Sequence, residues 1–186
     1  MIDWLESLNY YTFFLINGSG FSEIDPIMLF FSNKIVWIPL YIIILYFLFN
    51  KYKEHILKIV MSIALLIFFA DVGSVYVFKN QIKNKRPCHI ERIQEEVRLV
   101  ADDCGGEYGF ISSHAANHFA IAFFVSFIFR NKEVFFFLYS WAAIIGFSRI
   151  YLGVHFPIDI IGGMFWGLFV SLLSYKLLKI FTNEAI

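Results

Sequence analysis

The chain has 186 residues, of which 59% are apolar and 16% charged, against about 45–50% and about 25% in ordinary soluble domains. A soluble domain of this size cannot bury so much apolar surface. A formal net charge of zero without a basic tract also excludes a typical nucleic-acid-binding protein. Because the apolar runs do not alternate as barrel strands do, the composition predicts an all-α, polytopic bundle of transmembrane helices.

The first predicted element is an N-terminal interfacial helix over residues 3–16, which ends at the turn-forming sequence Asn17-Gly18-Ser19-Gly20. The apolar side chains of this segment fall on one helical face, which carries Trp4, Leu5, Leu8 and Tyr11. A sixth, partial membrane span over the same residues is the alternative. The start of the chain is acidic and lacks a basic segment, so we expect no cleavable signal peptide.

Five apolar stretches of spanning length follow the interfacial helix, so the bundle is expected to contain five to six helices. In chain order the stretches cover residues 27–49, 59–78, 113–129, 134–152 and 158–181. No domain linker interrupts them, and residues 1–186 are therefore expected to form a single integral-membrane domain.

The distribution of charge predicts which end of the bundle faces the cytoplasm. The loops and tail at one end contain seven Lys and Arg residues and three acids, whereas the other end contains eight and twelve. Since cytoplasmic loops carry the excess of Lys and Arg, the second end is expected to face outward. The prediction is an integral inner-membrane protein whose N-terminus and 80–112 loop lie on the periplasmic side.

The outward loop over residues 80–112 is the longest polar segment of the chain. Within it Ile93 and Val97 recur at helical spacing beside charged residues, which predicts a short amphipathic helix that lies on the membrane surface and acts as a lid. An ordinary solvated loop helix is the alternative. Cys88 and Cys104 lie in the same loop, and in an oxidising periplasm they can form a disulfide; two free thiols are the equal alternative.

Polar and charged residues cluster where four of the spans reach the outward side. Lys79 and Arg86 follow the second span, Ser112, Ser113 and His114 begin the third, Arg149 ends the fourth, and His155 and Asp159 begin the fifth. Because all these span ends lie on one side of the membrane, the topology predicts that the side chains meet at one depth and form a site.

The residue types in this predicted site suit a phosphate group. Arg and Lys side chains bind phosphate oxygens, and serines at a helix start add free backbone N–H groups. His155 can attack phosphorus if Asp159, one turn along, holds its other ring nitrogen. His114 is expected to serve as the general acid. The cationic side chains can stabilise the phosphate oxygens, so neither a metal nor another cofactor is expected.

The three motifs that contain these residues resemble a known signature. Lys79-x6-Arg86-Pro87, Ser112-Ser113-His114 and Ser148-Arg149-x5-His155-x3-Asp159 resemble, in that order, the motifs of the type 2 phosphatidic acid phosphatase superfamily. In that family the second motif usually reads Pro-Ser-Gly-His, where this chain has Ile111-Ser112-Ser113-His114. The departure leaves the backbone N–H groups in place and adds a hydroxyl, so no reacting group is lost.

The resemblance implies a helical-bundle membrane phosphatase that works through a phosphohistidine intermediate. It assigns His155 as the nucleophile, Asp159 as its orienting partner and His114 as the acid–base residue. It also assigns the phosphate ligands, which are Lys79, Arg86, Ser112, Ser113 and Arg149. A haloperoxidase-like vanadate site shares the same phosphate ligands, but those enzymes are soluble.

The expected reaction is metal-independent removal of a terminal phosphate from a lipid phosphate or diphosphate in the bilayer. The compact size and outward site resemble small bacterial family members that act on undecaprenyl diphosphate, which we expect as the substrate. Phosphatidylglycerol phosphate, phosphatidic acid and lipid A phosphates are the alternatives. A non-catalytic protein that binds lipid phosphates would keep the cations but would not need the His155–Asp159 pair.

Two further polar residues are expected below the site. Asp71 lies within the second span, eight residues before Lys79 and so about 12 Å deeper along a helix. A carboxylate there is costly, and we expect it to face the bundle interior and to bond a neighbouring helix, the alternative being a protonated side chain that is merely tolerated. His118 is four residues after His114 and is expected to line the site or to bond another helix. Ala115 stands where zinc-binding His-Glu-x-x-His helices have glutamate, so this histidine pair is not expected to bind a metal.

Overall fold

The computed structural model describes residues 2–101, 103–183 and 186, without the side chains of Ile2 and Asp3; Asp102, in the predicted outer loop, lies outside the described residues. The described residues contain eight α-helices and one isolated β-bridge. The helices are α1 (Ile2–Gly18), α2 (Asp25–Ser32), α3 (Ile38–Lys51), α4 (Ile56–Gly73), α5 (Asn80–Ile82), α6 (Ser113–Phe129), α7 (Lys132–Tyr151) and α8 (Pro157–Phe181). The all-α architecture predicted from composition is thus confirmed.

Several of these helices are long and apolar enough to cross a membrane. Together with the short helical turns that adjoin them, these helices cover Lys34–Lys51, Lys53–Ile82, Lys132–Tyr151 and Pro157–Phe181. The apolar helix α6, of 17 residues, is slightly shorter. Many large apolar side chains on their outer faces are exposed, as lipid-facing surfaces require. The predicted third, fourth and fifth spans agree with α6, α7 and α8 to within two residues.

Helix α6 occupies the centre of the bundle and packs most extensively against α8. Most of its side chains from Ala115 to Ile128 are buried. Two glycines of α8 allow this close approach: a Cβ at Gly163 would lie 2.8 Å from the Ser112 carbonyl oxygen, and one at Gly167 would lie 2.7 Å from that of Ala116. Small residues at such contacts allow helix backbones to approach closely in a membrane.

The second predicted span, residues 59–78, is part of a longer helix. Helix α4 continues without interruption through a π-helical segment, Ser74–Lys79, and then through α5. A π-helical segment widens the turn and frequently occurs at functional sites. Here it lies beside the start of α6, where the Ser74 and Ser113 hydroxyl oxygens are 2.6 Å apart.

The prediction of one continuous first span over residues 27–49 is wrong. Helix α2 ends at Ser32, the chain turns at Asn33 and in a 3-10 turn at Lys34–Trp37, and α3 then begins. The Asn33 side chain accepts a hydrogen bond from the backbone N–H of Ile35 and thereby stabilises the turn. Pro39 lies in the first turn of α3, where proline is well tolerated, so it does not bend the middle of a helix.

Helix α1 packs against the turn that connects α7 to α8. The Phe13 ring lies 5.0 Å from that of Phe156, and Asn17 Nδ2 donates to the carbonyl oxygen of Tyr151 at 2.8 Å. The side chains of Trp4 and Tyr11, also on α1, are exposed. These contacts place α1 at the same end of the bundle as the start of α8, and its position in the membrane interface stays a prediction.

The prediction of an amphipathic surface helix around Ile93 and Val97 is wrong. The described residues 91–97 form consecutive turns, and Ile93 is buried. The backbone N–H and carbonyl of Arg98 bond to the Asn17 side chain, while its guanidinium bonds to Asp25 at 2.5 Å. The bonds to Asn17 use backbone groups of Arg98 that a helix would need for its own hydrogen bonds. These tertiary contacts therefore outweigh the helical spacing of the apolar residues.

Candidate active site

His155 and Asp159 form a buried pair at the start of α8. Asp159 Oδ2 lies 3.1 Å from His155 Nδ1 and also accepts the backbone N–H of Phe156 at 3.0 Å. Pro157 opens the helix, and the Asp159 backbone carbonyl accepts the N–H of Ser112 at 3.0 Å. Because a carboxylate only accepts, the pair selects the imidazole tautomer that carries its proton on Nδ1. The lone pair of Nε2 is then free to react.

The surroundings of His155 keep its imidazole neutral. Burial is the largest cause, and the positive charges of Arg86, Arg149 and Lys79 add to it, so the pKa of His155 is lowered well below its usual range. A neutral imidazole is the nucleophilic form. The same cations that would bind a phosphate therefore keep the candidate nucleophile ready at neutral pH.

Two guanidinium groups reach this pair from different parts of the chain. Arg86 is buried, and its Nη1 donates to the Cys104 carbonyl oxygen at 2.9 Å. Arg149, near the end of α7, donates from Nη1 to the hydroxyl of Ser32. Among the described residues neither Nε atom has a hydrogen-bond partner. Buried donors of this kind suit the oxygens of a phosphate group.

The pKa of Arg86 is lowered by burial, and the charges of Asp159 and Asp103 partly oppose this shift. Its guanidinium nevertheless stays charged at neutral pH.

Hydrogen bonds of Lys79 and Ser74 connect the π-helical segment to Ser113 at the start of α6. The Lys79 ammonium donates to the Ser113 hydroxyl at 3.2 Å, and the Ser74 hydroxyl donates to the Asp71 carbonyl oxygen at 2.6 Å. Since Ser74 uses its own proton there, the contact between the two serine hydroxyls has Ser113 as donor. The Ser112 side chain caps α6 by accepting from Ala115 N. The first N–H groups of α6 then have no intrahelical acceptor and favour an anion.

The remaining predicted residues line a common cavity. His114, His118 and Asp71 all line a cavity of about 640 Å³ between α3, α4 and α6. His118 is buried, and its Nδ1 donates to the His114 carbonyl oxygen at 2.7 Å. Asp71 Oδ1 accepts from Asn117 Nδ2 on α6 at 3.0 Å. The structure therefore gives Asp71 the expected bond to a neighbouring helix, but the residue is exposed in the cavity and is not buried in the bundle interior.

The structure joins Cys88 to Cys104 in a disulfide. The Cys104 carbonyl accepts the hydrogen bond from Arg86, so the crosslink ties the loop on both sides of this guanidinium. His89 lies beside the same two residues, but with both sulfurs in the disulfide this cluster offers no thiolate ligand to a metal.

Three residues that hydrogen-bond to the predicted site residues were missed from the sequence, namely Ser32, Ser74 and Asn117. Lys34, which lines the same cavity as His114, was missed as well. Polar side chains inside or next to apolar spans are the only signal that marks them. Their partners lie on other helices, which the sequence order does not reveal.

Comparison with known proteins shows which family this chain resembles. Residues 55–182 match the PAP2 superfamily. A lipid A 4′-phosphatase from Porphyromonas gingivalis is 38% identical over 165 residues, which are 88% of this chain and 70% of that protein. The undecaprenyl-diphosphatase BcrC of Bacillus subtilis is 25% identical over 174 residues, 91% of this chain and 83% of that protein.

A solved structure is also similar. The crystal structure of Aquifex aeolicus LpxE superposes with a TM-score of 0.66 at 28% identity, covering 91% of this chain and 95% of the LpxE chain. The family match covers the segment from Lys79 to Asp159, which holds every residue of the three motifs.

Proposed function

Since this chain belongs to the PAP2 superfamily and is a membrane lipid phosphatase, we propose that its substrate is the 4′-phosphate monoester of lipid A. The observation that carries the proposal is the 38% identity to a lipid A 4′-phosphatase over 88% of the chain, against 25% to an undecaprenyl-diphosphatase. This moves the preferred substrate from the undecaprenyl diphosphate expected from the sequence to a phosphorylated, acylated sugar.

The first chemical step forms a phosphohistidine. His155 Nε2 attacks phosphorus, and the bond from phosphorus to the sugar oxygen breaks. The alkoxide that leaves is a strong base, so His114 donates a proton to it. The ring of His155 becomes positive as the new P–N bond forms, and the carboxylate of Asp159, 3.1 Å from Nδ1, stabilises that charge.

The second step releases inorganic phosphate. His114, now neutral, takes a proton from a water molecule, whose oxygen attacks phosphorus. The P–N bond breaks, its electron pair returns to Nε2, and the neutral imidazole of His155 is restored. In both steps Lys79, Arg86, Arg149 and the N-terminus of α6 stabilise the negative charge on the phosphoryl oxygens.

We place the site at the periplasmic face of the inner membrane. The loops and tail at the opposite end carry the excess of Lys and Arg, which is typical of cytoplasmic segments. The disulfide in the 80–112 loop supports the same orientation, because such bonds persist in oxidising compartments.

Undecaprenyl diphosphate is the second candidate substrate. It is supported by the 25% identity to BcrC and by the apolar cavity beside His114, which offers room for a hydrocarbon chain. Its leaving group is a phosphate, which needs little protonation.

Phosphate release from the detergent-purified protein tests the proposal. The substrates are lipid A, undecaprenyl diphosphate, phosphatidylglycerol phosphate and phosphatidic acid, each assayed with EDTA and without added metal, and the His155→Ala variant supplies the blank. We expect the highest kcat/KM for lipid A, with loss of the 4′-phosphate seen by mass spectrometry. A clear preference for undecaprenyl diphosphate would replace the proposal by the second candidate. No release from any substrate by folded protein would contradict both, and inhibition by EDTA would contradict the metal-independent mechanism.

A further inference from the structure

The cavity beside His114 lies in the membrane-spanning part of the bundle. Its volume is about 640 Å³, and its walls are mostly apolar, with residues such as Ile44 from α3, Ile67 from α4 and Ile121 from α6. Leu45 and Phe68 line it as well and are exposed on the outer surface. The cavity thus connects the lipid-facing surface with a residue of the active site, as a passage for acyl chains would.

A carboxylate in the wall of this apolar cavity has no role in the mechanism above. Asp71 Oδ1 accepts a hydrogen bond from Asn117, whereas Oδ2 accepts none from the described residues. Lys34 lines the same cavity, but the salt bridges among the described residues do not join it to Asp71. A free carboxylate oxygen at membrane depth is costly and marks a functional position.

The carboxylate of Asp71 lies only slightly deeper in the membrane than the general acid His114. Asn117, its partner, is three residues after His114 and so about 4.5 Å further along α6. Asp71 is therefore about one helical turn below the general acid, on the acyl-chain side of the site. A lipid whose phosphate lies at His155 would place at Asp71 the first polar groups of its acyl chains.

We propose that Asp71, held by Asn117, determines specificity by accepting hydrogen bonds from the amide or hydroxyl groups that acyl chains carry next to a phosphorylated amino sugar. This inference rests on the proposed function and extends it. The acyl chains of lipid A provide both kinds of donor near the sugar, whereas a polyprenyl chain has none. When a chain without donors covers the carboxylate, the carboxylate loses its hydrogen bonds to water and gains none in exchange. The same residue therefore disfavours polyprenyl substrates.

The test measures kcat and KM for three substrates with the full-length protein in detergent. The substrates are lipid A with 3-hydroxyacyl chains, a synthetic lipid A without those hydroxyls, and undecaprenyl diphosphate. In Asp71→Leu we expect the ratio of kcat/KM for hydroxylated lipid A to that for undecaprenyl diphosphate to fall about tenfold, and the preference for the hydroxylated lipid A to disappear. Asp71→Asn keeps an acceptor oxygen and should restore most of the ratio.

Control variants separate recognition from packing. Ser126→Ala removes a buried hydroxyl from α6, the helix of Asn117; this hydroxyl bonds to the Ala122 carbonyl and does not line the cavity, so the variant should keep the wild-type ratio. If Asp71→Leu does not fold, Asn117→Leu removes the donor that holds the carboxylate and should lower the ratio in the same direction.

The outcomes distinguish this inference from the proposed function. Equal losses on all three substrates, or an unchanged ratio in a wild-type protein that acts on lipid A, would overturn the specificity role of Asp71 alone. A wild-type protein that releases no phosphate from lipid A would overturn the proposed function, and the inference with it.

Discussion

The helices at the centre of the bundle and those at its N-terminus are packed very differently. Most side chains of α6 are buried, and α8 approaches it through glycines. In α3, by contrast, Ile44 and Leu48 are the buried residues, and α2 has none. The candidate reacting residues His114, His155 and Asp159 all stand on or next to the tightly packed pair, whereas α3 forms a wall of the cavity.

This difference separates two requirements of a lipid phosphatase. Transfer of a phosphoryl group needs reacting atoms held at fixed distances, which dense packing provides. Entry of a lipid from the bilayer into the cavity requires an apolar wall that has few packing contacts with the other helices. A sparsely packed helix such as α3 provides such a wall. If this division holds, substitutions at the centre should affect function and stability more than substitutions at the periphery.

The largest effect is expected at the centre, for Asp159→Asn. An amide can present its N–H to His155 and so favour the wrong tautomer, and we expect kcat to fall about 10³-fold or more. Asp25→Asn changes a carboxylate of the peripheral α2 that pairs with Arg98 and should reduce kcat far less. Phosphate release at saturating lipid, with the unfolding midpoint of each variant, measures both. Similar losses in the two variants would contradict the division.

An intermediate effect is expected for His114→Ala, and it should depend on the leaving group. Release from a monoester such as the 4′-phosphate of lipid A should fall by about 10²-fold, because the alkoxide needs a proton. Release from undecaprenyl diphosphate should fall much less. His55→Ala, in the turn between α3 and α4, is the matched control. Equal losses on the two substrates would exclude His114 as the acid for the leaving group.

The smallest effect concerns stability and compares two glycines. In Gly163→Ala the new Cβ would lie 2.8 Å from both Ala115 Cβ and the Ser112 carbonyl oxygen, and such overpacking costs about 1–3 kcal/mol. In Gly18→Ala, at the end of α1, the new Cβ meets nothing within 4 Å. We expect the unfolding midpoint in detergent to drop by several degrees in the first variant and to stay unchanged in the second. A drop of equal size in both would show that α1 is as tightly packed as α8.

Much of the architecture and of the site could be predicted from the order of residues. Spanning length alone located α6, α7 and α8, because a helix must cross the apolar core of a bilayer. The three motifs could be assigned to one depth, because the ends of alternating spans lie on the same side of the membrane. The pairing of His155 with Asp159 was also predicted from their spacing, although His155 precedes α8, which begins at Pro157.

Only the tertiary structure decided which groups contact one another across helices. The π-helical segment at Ser74–Lys79 and the turns around Ile93 make contacts with distant parts of the chain, which outweigh the local pattern of apolar residues.

The same holds for the partners of the site residues, such as Ser32 beside Arg149 and Asn117 beside Asp71. Hydropathy specifies how deep a residue lies in the membrane but leaves open how each helix is rotated about its axis. The packing of small residues between α6 and α8 sets that rotation, and with it the side chains that meet in the site and in the cavity.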